Sequence, residues 1–222
     1  MAKDISKRGI ADLGEEFWNR HMDTIDKFWN SISDYFSSID VAEMKLYQDG
    51  MVADGDIAKK IVEDGISSGS KNYQLDADLI KRGAILVRTE DFKLLKKELE
   101  SMRTITRAKT IIQKIAGFIR YKLIKNRLLA ERDKFIAKRI DETLGHGEKG
   151  ILFLGAYHNI KKYLPENIQI KEIKDVDKIR EYHKLIPFYR SRNKQRFKEL
   201  SEYLIRPCKG DDTGKKKERE NE

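Results

Sequence analysis

Cysteine is nearly missing from this chain: Cys208 is the single one in 222 residues. One thiol excludes an internal disulfide framework and a multi-cysteine zinc site. There are three prolines, so few helices need break and little of the chain reads as loop. No run approaches the roughly 18 consecutive apolar residues of a membrane span. The N-terminal stretch MAKDISKRGIADLGEEFW lacks the apolar centre of a signal peptide. The expectation that follows is a cytoplasmic chain. Histidine is also scarce, with four in all, so the position of each one matters.

What the chain does have is charge. Hydrophobic residues make up 39% and charged residues 37%, low and high against ordinary globular domains, as in a helix-rich fold with heavily charged outer faces. The net charge of +9 is unevenly placed. Residues 103–139 hold twelve Lys/Arg against two acids, and 184–206 hold seven against two. The tail, 209–222, has five of each sign. Such asymmetry fits two readings: solvated faces of long helices, or a one-sided field for a polyanion.

Apolar spacing predicts a helix over 12–37, where Trp18, Ile25, Phe28, Trp29, Ile32 and Phe36 recur at three- and four-residue steps and Asp12 is the expected N-cap. VAEMKLYQDG, from Val41, reads as a strand and turn. DIAKKIVEDGISSG and NYQLDADLIKRG read as helices, with Gly83 just past the end of the second. AILVR is a short buried-strand pattern. Thr89 is expected to cap the helix that follows, with Glu90 in its first turn. The stretch of about 91–145 is helical, with a break expected at Ser101–Thr104. ILFLGA is the strongest strand signal. IQIKEIK alternates like a half-covered strand. Asp175 is expected to cap a helix to about Leu185, ended by Pro187, with a last basic helix over 188–204. The tail has no apolar residue apart from glycine and is expected to be disordered.

Strands separated by helices indicate an α/β fold: a small, mostly parallel sheet of about four strands, with flanking helices and a long helical insertion at about 91–145. The expected organisation is an N-terminal arm over 1–11, a single domain over 12–208 and the tail over 209–222. In open parallel sheets, ligands collect beyond the carboxyl ends of the strands. Three such ends carry Tyr47–Gln48–Asp49, Arg88–Thr89–Glu90 and Tyr157–His158–Asn159. If these strands are parallel neighbours, a carboxylate, an imidazole and a phenol share one rim, where they could do acid/base work or hold a metal. Taken alone, each is more often a strand-end cap or turn residue than a functional one.

A second clue lies on the helix before ILFLGA. At about 100° per residue, Arg132 falls within the apolar stripe of Leu128, Phe135, Ile136 and Ile140. An arginine there needs a buried partner, such as a rim carboxylate, or must snorkel out to water. His21 lies on an aromatic-rich helix, His146 in a GHGEKG loop and His183 in a helix. GISSGSKN has the wrong spacing for a phosphate loop, and no nucleophile-elbow pattern supports a serine hydrolase.

The segment ERDKFIAKRIDETLGHGEKGILFLGAYHNI, from Glu131 to Ile160, resembles the closing part of TraB/TIKI-type domains of the erythromycin-esterase/ChaN-like superfamily. The resemblance rests on the Glu-Arg-Asp helix start and on an apolar strand ending in Gly-x-x-His. It covers Glu131, Arg132, Gly155 and His158, and implies an α/β domain with a polar hydrolytic site, with or without a divalent metal. The family's early Gly-x-x-His strand has no counterpart here. MKLYQDG stands in its place, with Gln48 and Asp49 where the ligands would be.

The function expected first is a hydrolase acting on a small-molecule or peptide substrate. In it His158 is an acid/base or metal ligand, Arg132 an anion stabiliser, and Asp49, Glu90 and Glu131 carboxylate partners. Two alternatives need no catalysis: nucleic-acid association through the basic helices of 103–139 and 188–206, or partner binding.

Overall fold

The computed structural model describes residues 9–107, 110–186 and 193–208. The start of the expected N-terminal arm, Pro187, the beginning of the last basic helix and the tail lie outside the described residues. Where the sequence suggests one domain over 12–208, the contacts fall into two compact units. One spans Val41–Gln169; the other joins the residues up to Asp40 with those from Ile170 onward.

The Val41–Gln169 unit is built on a parallel sheet of three strands, β1 (Lys45–Gln48), β2 (Ile85–Val87) and β3 (Gly150–Phe153), in the order β2-β1-β3. Leu46 pairs with Leu86 on one side and with Ile151 on the other. Parallel neighbours need long crossovers, and the helices supply them. α2 (Gly55–Ser67) and α3 (Lys71–Lys81) join β1 to β2; α4 (Phe92–Arg107) and α5 (Ile111–Thr143) join β2 to β3. Period-two side-chain alternation then sends neighbouring residues to opposite cores. Tyr47 and Val87 pack with Ile136 and Ile140 of α5. Leu86 packs with Met51, Ala58 and Val62 on the α2–α3 side. The sheet is therefore sandwiched between helices, with β1 in the middle.

Local chemistry sets the ends of these elements. Gly83 follows α3 with φ +98, a left-handed backbone that residues with a Cβ rarely adopt. A side chain there would also meet the Ala42 backbone at 3.3 Å. Asp91, not Thr89, caps α4, because its Oδ1 accepts from the Lys93 and Leu94 amides. The expected break at Ser101–Thr104 falls inside α4. The interruption comes later, where Thr110 and Gln113 form a reciprocal capping box at the start of α5, a pairing that satisfies two otherwise unbonded amides.

The expected fourth strand does not form: 168–174 is irregular. Alternation specifies a strand only when a neighbour is there to pair with. Here Ile168 packs against the Tyr47–Ile140 core, while Lys174 donates its ammonium to the carbonyls of Leu204 and Arg206.

The second unit contains α1 (Glu15–Ser37), α6 (Val176–Leu185) and α7 (Lys194–Ile205). Its core is Phe17, Tyr182, Phe197, Leu200 and Leu204. Gly14 stands at the N-cap of α1 in place of the expected Asp12. Asp175 caps α6 as expected, accepting from the Asp177 and Lys178 amides. His21 is half-buried, its Nδ1 2.8 Å from the Tyr182 hydroxyl. Among the described residues no helix is long and apolar enough to cross a membrane.

Candidate functional site at the strand ends

β1 is central: the first crossover carries the chain from β1 to β2 on one side, and the second returns it past β1 to β3 on the other. The crevice of this sheet therefore lies at the carboxyl end of β1, beside β3. Asp49 occupies that place. Its amide continues the ladder by donating to the Phe153 carbonyl at 2.9 Å. The chain then turns, and the Met51 carbonyl accepts from the amides of both Thr89 and Glu90 at 2.8 and 2.9 Å. Thr89 completes the join: its hydroxyl accepts from the Gln48 amide and donates to the Val87 carbonyl. Glu90 is thereby fixed beside Asp49 and has no exposed surface, instead of standing in the first turn of α4.

Arg132, on α5, meets both carboxylates. Its Nε donates to the two Glu90 oxygens at 3.1 and 3.2 Å, one terminal nitrogen reaches Asp49 Oδ1 at 2.6 Å, and the other reaches Glu98 of α4 at 2.6 Å. The guanidinium fork suits several carboxylates at once. Burial disfavours its charge, but the bonds to Glu90 and the fields of Glu90, Asp49 and Glu98 outweigh that and raise its pKa. Glu90 is shifted upward, chiefly by burial and against the pull of Arg132.

His158 closes the other side. After β3 the chain makes a tight turn in which the His158 amide donates to the Gly155 carbonyl. The imidazole Nδ1 lies 2.5 Å from Asp133 Oδ1, and Nε2 lies 3.4 Å from Asp49 Oδ2. Asp133 also accepts from the Asn159 amide at 2.8 Å. Burial opposes the imidazolium, yet Asp133 and Asp49 together raise its pKa to about 9. Asp49 is held well below the usual carboxylate range: burial pushes it up, and His158, Arg132 and the Gly155 amide more than reverse this. Gly155 leaves room for this arrangement. A Cβ at that position would sit 3.2 Å from Asp49 Oδ2 and 3.6 Å from the imidazole.

The structure therefore brings together Asp49, Glu90, Arg132 and His158. Glu131 is not brought in: it faces away on α5 and pairs with Arg127 at 2.9 Å. Neither tyrosine joins the cluster. The Tyr47 hydroxyl bonds Thr143, and Tyr157 is about half exposed and lies under the Lys125 ammonium. Sequence reasoning missed Asp133 and Glu98. Asp133 had a signal, because it sits beside Arg132 in the same Glu-Arg-Asp triplet. Glu98 had none, since its role depends on how α4 lies along α5.

One ligand atom each from Asp49, Glu90 and His158 lie within 4.8 Å of one another. Two carboxylates and an imidazole make a donor set for zinc, manganese or another borderline-to-hard divalent ion. Only the neutral imidazole can ligate, so a metal must displace the His158 proton. With it gone and all four carboxylates ionised, Asp49, Glu90, Glu98 and Asp133 exceed Arg132 by three negative charges, which suits a dication. Compared with protein-family models, curated proteins and solved structures, the chain matches none.

Proposed function

We propose that this chain is a hydrolase of the TraB/TIKI-like kind, working at the carboxyl ends of its three strands with Asp49, Glu90 and His158 holding a divalent metal. The observation that carries the reading is the convergence of these three side chains, drawn from three separate strand ends, to within 4.8 Å. A bound dication would supply Lewis acidity and an activated water. The remaining residues position. Asp133 takes Nδ1 of His158 and so turns Nε2 toward Asp49, as outer-shell carboxylates do for ligating histidines. Arg132 fixes the orientation of Asp49 and Glu90, and Gly155 leaves room for both Asp49 and the ring.

The test is calorimetric titration of the protein with Mn²⁺ and Zn²⁺, alongside a panel of carboxylic-ester, peptide and phosphoester substrates. Expected are binding of one ion and metal-dependent cleavage of one substrate class, both lost in Asp49→Asn and His158→Gln. Absence of both binding and cleavage would overturn the reading.

One observation favours a second reading, a partner-binding domain without catalysis: the Arg132 guanidinium already stands as a cation between Asp49, Glu90 and Glu98. In that case the cluster is a structural ion network, and Arg132 leaves no place for a dication.

A further inference from the structure

The first half of α5 has a face that no part of the described chain covers. Ile112, Ile115, Ile119 and Leu123 are 80%, 55%, 53% and 76% exposed. At about 100° per residue they fall within an arc of about 80°, so they form one continuous aliphatic stripe. Isolated exposed aliphatics are ordinary, but an aligned row of four marks a contact surface. The residues facing the candidate site, Leu128 and Arg132, lie on the opposite side of the helix by the same spacing, so the stripe is separate from that site.

The sequence around it carries one sign of charge. From Ser101 to Ala130 the sequence has eight Lys/Arg and not one Asp or Glu. Lys122 falls beside one edge of the stripe, Arg120 and Arg127 beside the other, and all three are exposed. An aliphatic stripe between basic borders is the pattern of a helix that lies in a membrane interface. Its apolar side chains enter the boundary of the acyl chains, and its long basic side chains reach the phosphates.

Charge complementarity chooses among occupants. A second copy would bring this basic segment against itself, with no carboxylate inside the segment to offset the repulsion. A nucleic acid would use the bases but not the row of aliphatics, and the segment's one described aromatic, Tyr121, is half-buried on the other side of the helix. An anionic lipid surface uses both. We propose that the Ile112–Leu123 face of α5 docks the protein on anionic phospholipid membranes, lying on the surface rather than crossing it.

The experiment is co-sedimentation of the full chain with vesicles of phosphatidylcholine alone and of phosphatidylcholine with phosphatidylserine. The expected result is binding to the anionic vesicles only. Two variants test the two halves of the argument. Ile119→Ser/Leu123→Ser and Arg120→Gln/Lys122→Gln should each weaken binding about tenfold or more, with unchanged far-ultraviolet circular dichroism to show that folding is intact. Equal sedimentation with both vesicle types, or full binding by the serine variant, overturns the proposal. So does self-association in solution that the serine variant abolishes, because the stripe is then covered by a second copy. Binding to duplex DNA or RNA, lost in the glutamine variant, without vesicle binding assigns the basic face to nucleic acid and overturns it too.

Discussion

His158 and Asp133 meet through a 2.5 Å contact between the imidazole Nδ1 and a carboxylate oxygen, both side chains almost fully buried. The residues come from different elements, the end of β3 and the middle of α5. The pair fixes the ring and ties the loop after β3 to the helix, because the Asn159 amide shares the same carboxylate.

Asp133→Ala should leave the imidazole facing an empty, buried position. Removing one member of a buried ion pair costs about 3–5 kcal/mol, readable by urea denaturation. Asp133→Asn keeps the shape but not the charge. In it the His158 imidazole should titrate below the wild-type value of about 9, as followed by NMR of the ring protons. An unchanged titration midpoint would show that Asp133 does not hold the proton.

Arg132→Leu strands Glu90, which is fully buried, without its cation. The expected loss is about 3–5 kcal/mol. Arg132→Lys should recover little of it, because a single ammonium cannot reproduce a fork shared by three carboxylates. The double variant Arg132→Leu/Glu90→Leu should recover more than the lysine, since Glu90, the one fully buried charge among the three carboxylates, is then gone. Should lysine restore full stability, the fork geometry is irrelevant.

Gly155→Ala places a methyl 3.2 Å from Asp49 Oδ2. Asp49 cannot easily yield, being held by Arg132 and the Gly155 amide. A destabilisation of about 1 kcal/mol is expected, with weakened metal binding if the site holds one. Thermal unfolding and metal titration of the variant check both.

Asp76 gives the chain a pH dependence independent of the cluster. It is fully buried in α3, both its oxygens lack a hydrogen-bond partner among the described residues, and burial raises its pKa from 3.8 to about 7. Below about pH 7 the carboxyl is mostly neutral when folded, whereas unfolded it ionises near its ordinary value. Its contribution is therefore intact below about pH 4 and is lost as pH rises to about 7. Between pH 5 and pH 8 this amounts to about 2–3 kcal/mol of lost stability. Asp76→Asn, which cannot ionise, should remove that part of the slope. Parallel wild-type and variant slopes in urea melts at the two pH values would show that Asp76 does not titrate in this range.

The strand ends were legible because each apolar run, MKLY, AILV and ILFL, stops at polar residues, and the parallel-sheet rule says where such residues gather. Arg132 was legible from its helical phase, which set a cation on an apolar stripe. Glu131 illustrates the limit of that reasoning. It belongs to the same triplet, but a step of about 100° turns it away from the cluster. IQIKEIK failed for a different reason, since an alternating pattern says which residues would share a face but not whether a partner strand exists.

By itself, then, the sequence determined the order and type of most elements, the helix start at Asp175 and the helix end at Gly83, and the three polar strand ends. These depend on neighbours within a few residues, whose spacing and backbone preferences are fixed by covalent geometry. Only the tertiary structure decided that Asp49, Glu90, Glu98, Arg132, Asp133 and His158 form one cluster and that Asp76 is buried with no hydrogen-bond partner among the described residues. Those outcomes depend on the order β2-β1-β3 and on how α5 lies across the sheet. That packing brings residues 42 and 83 positions apart within hydrogen-bonding distance of one guanidinium.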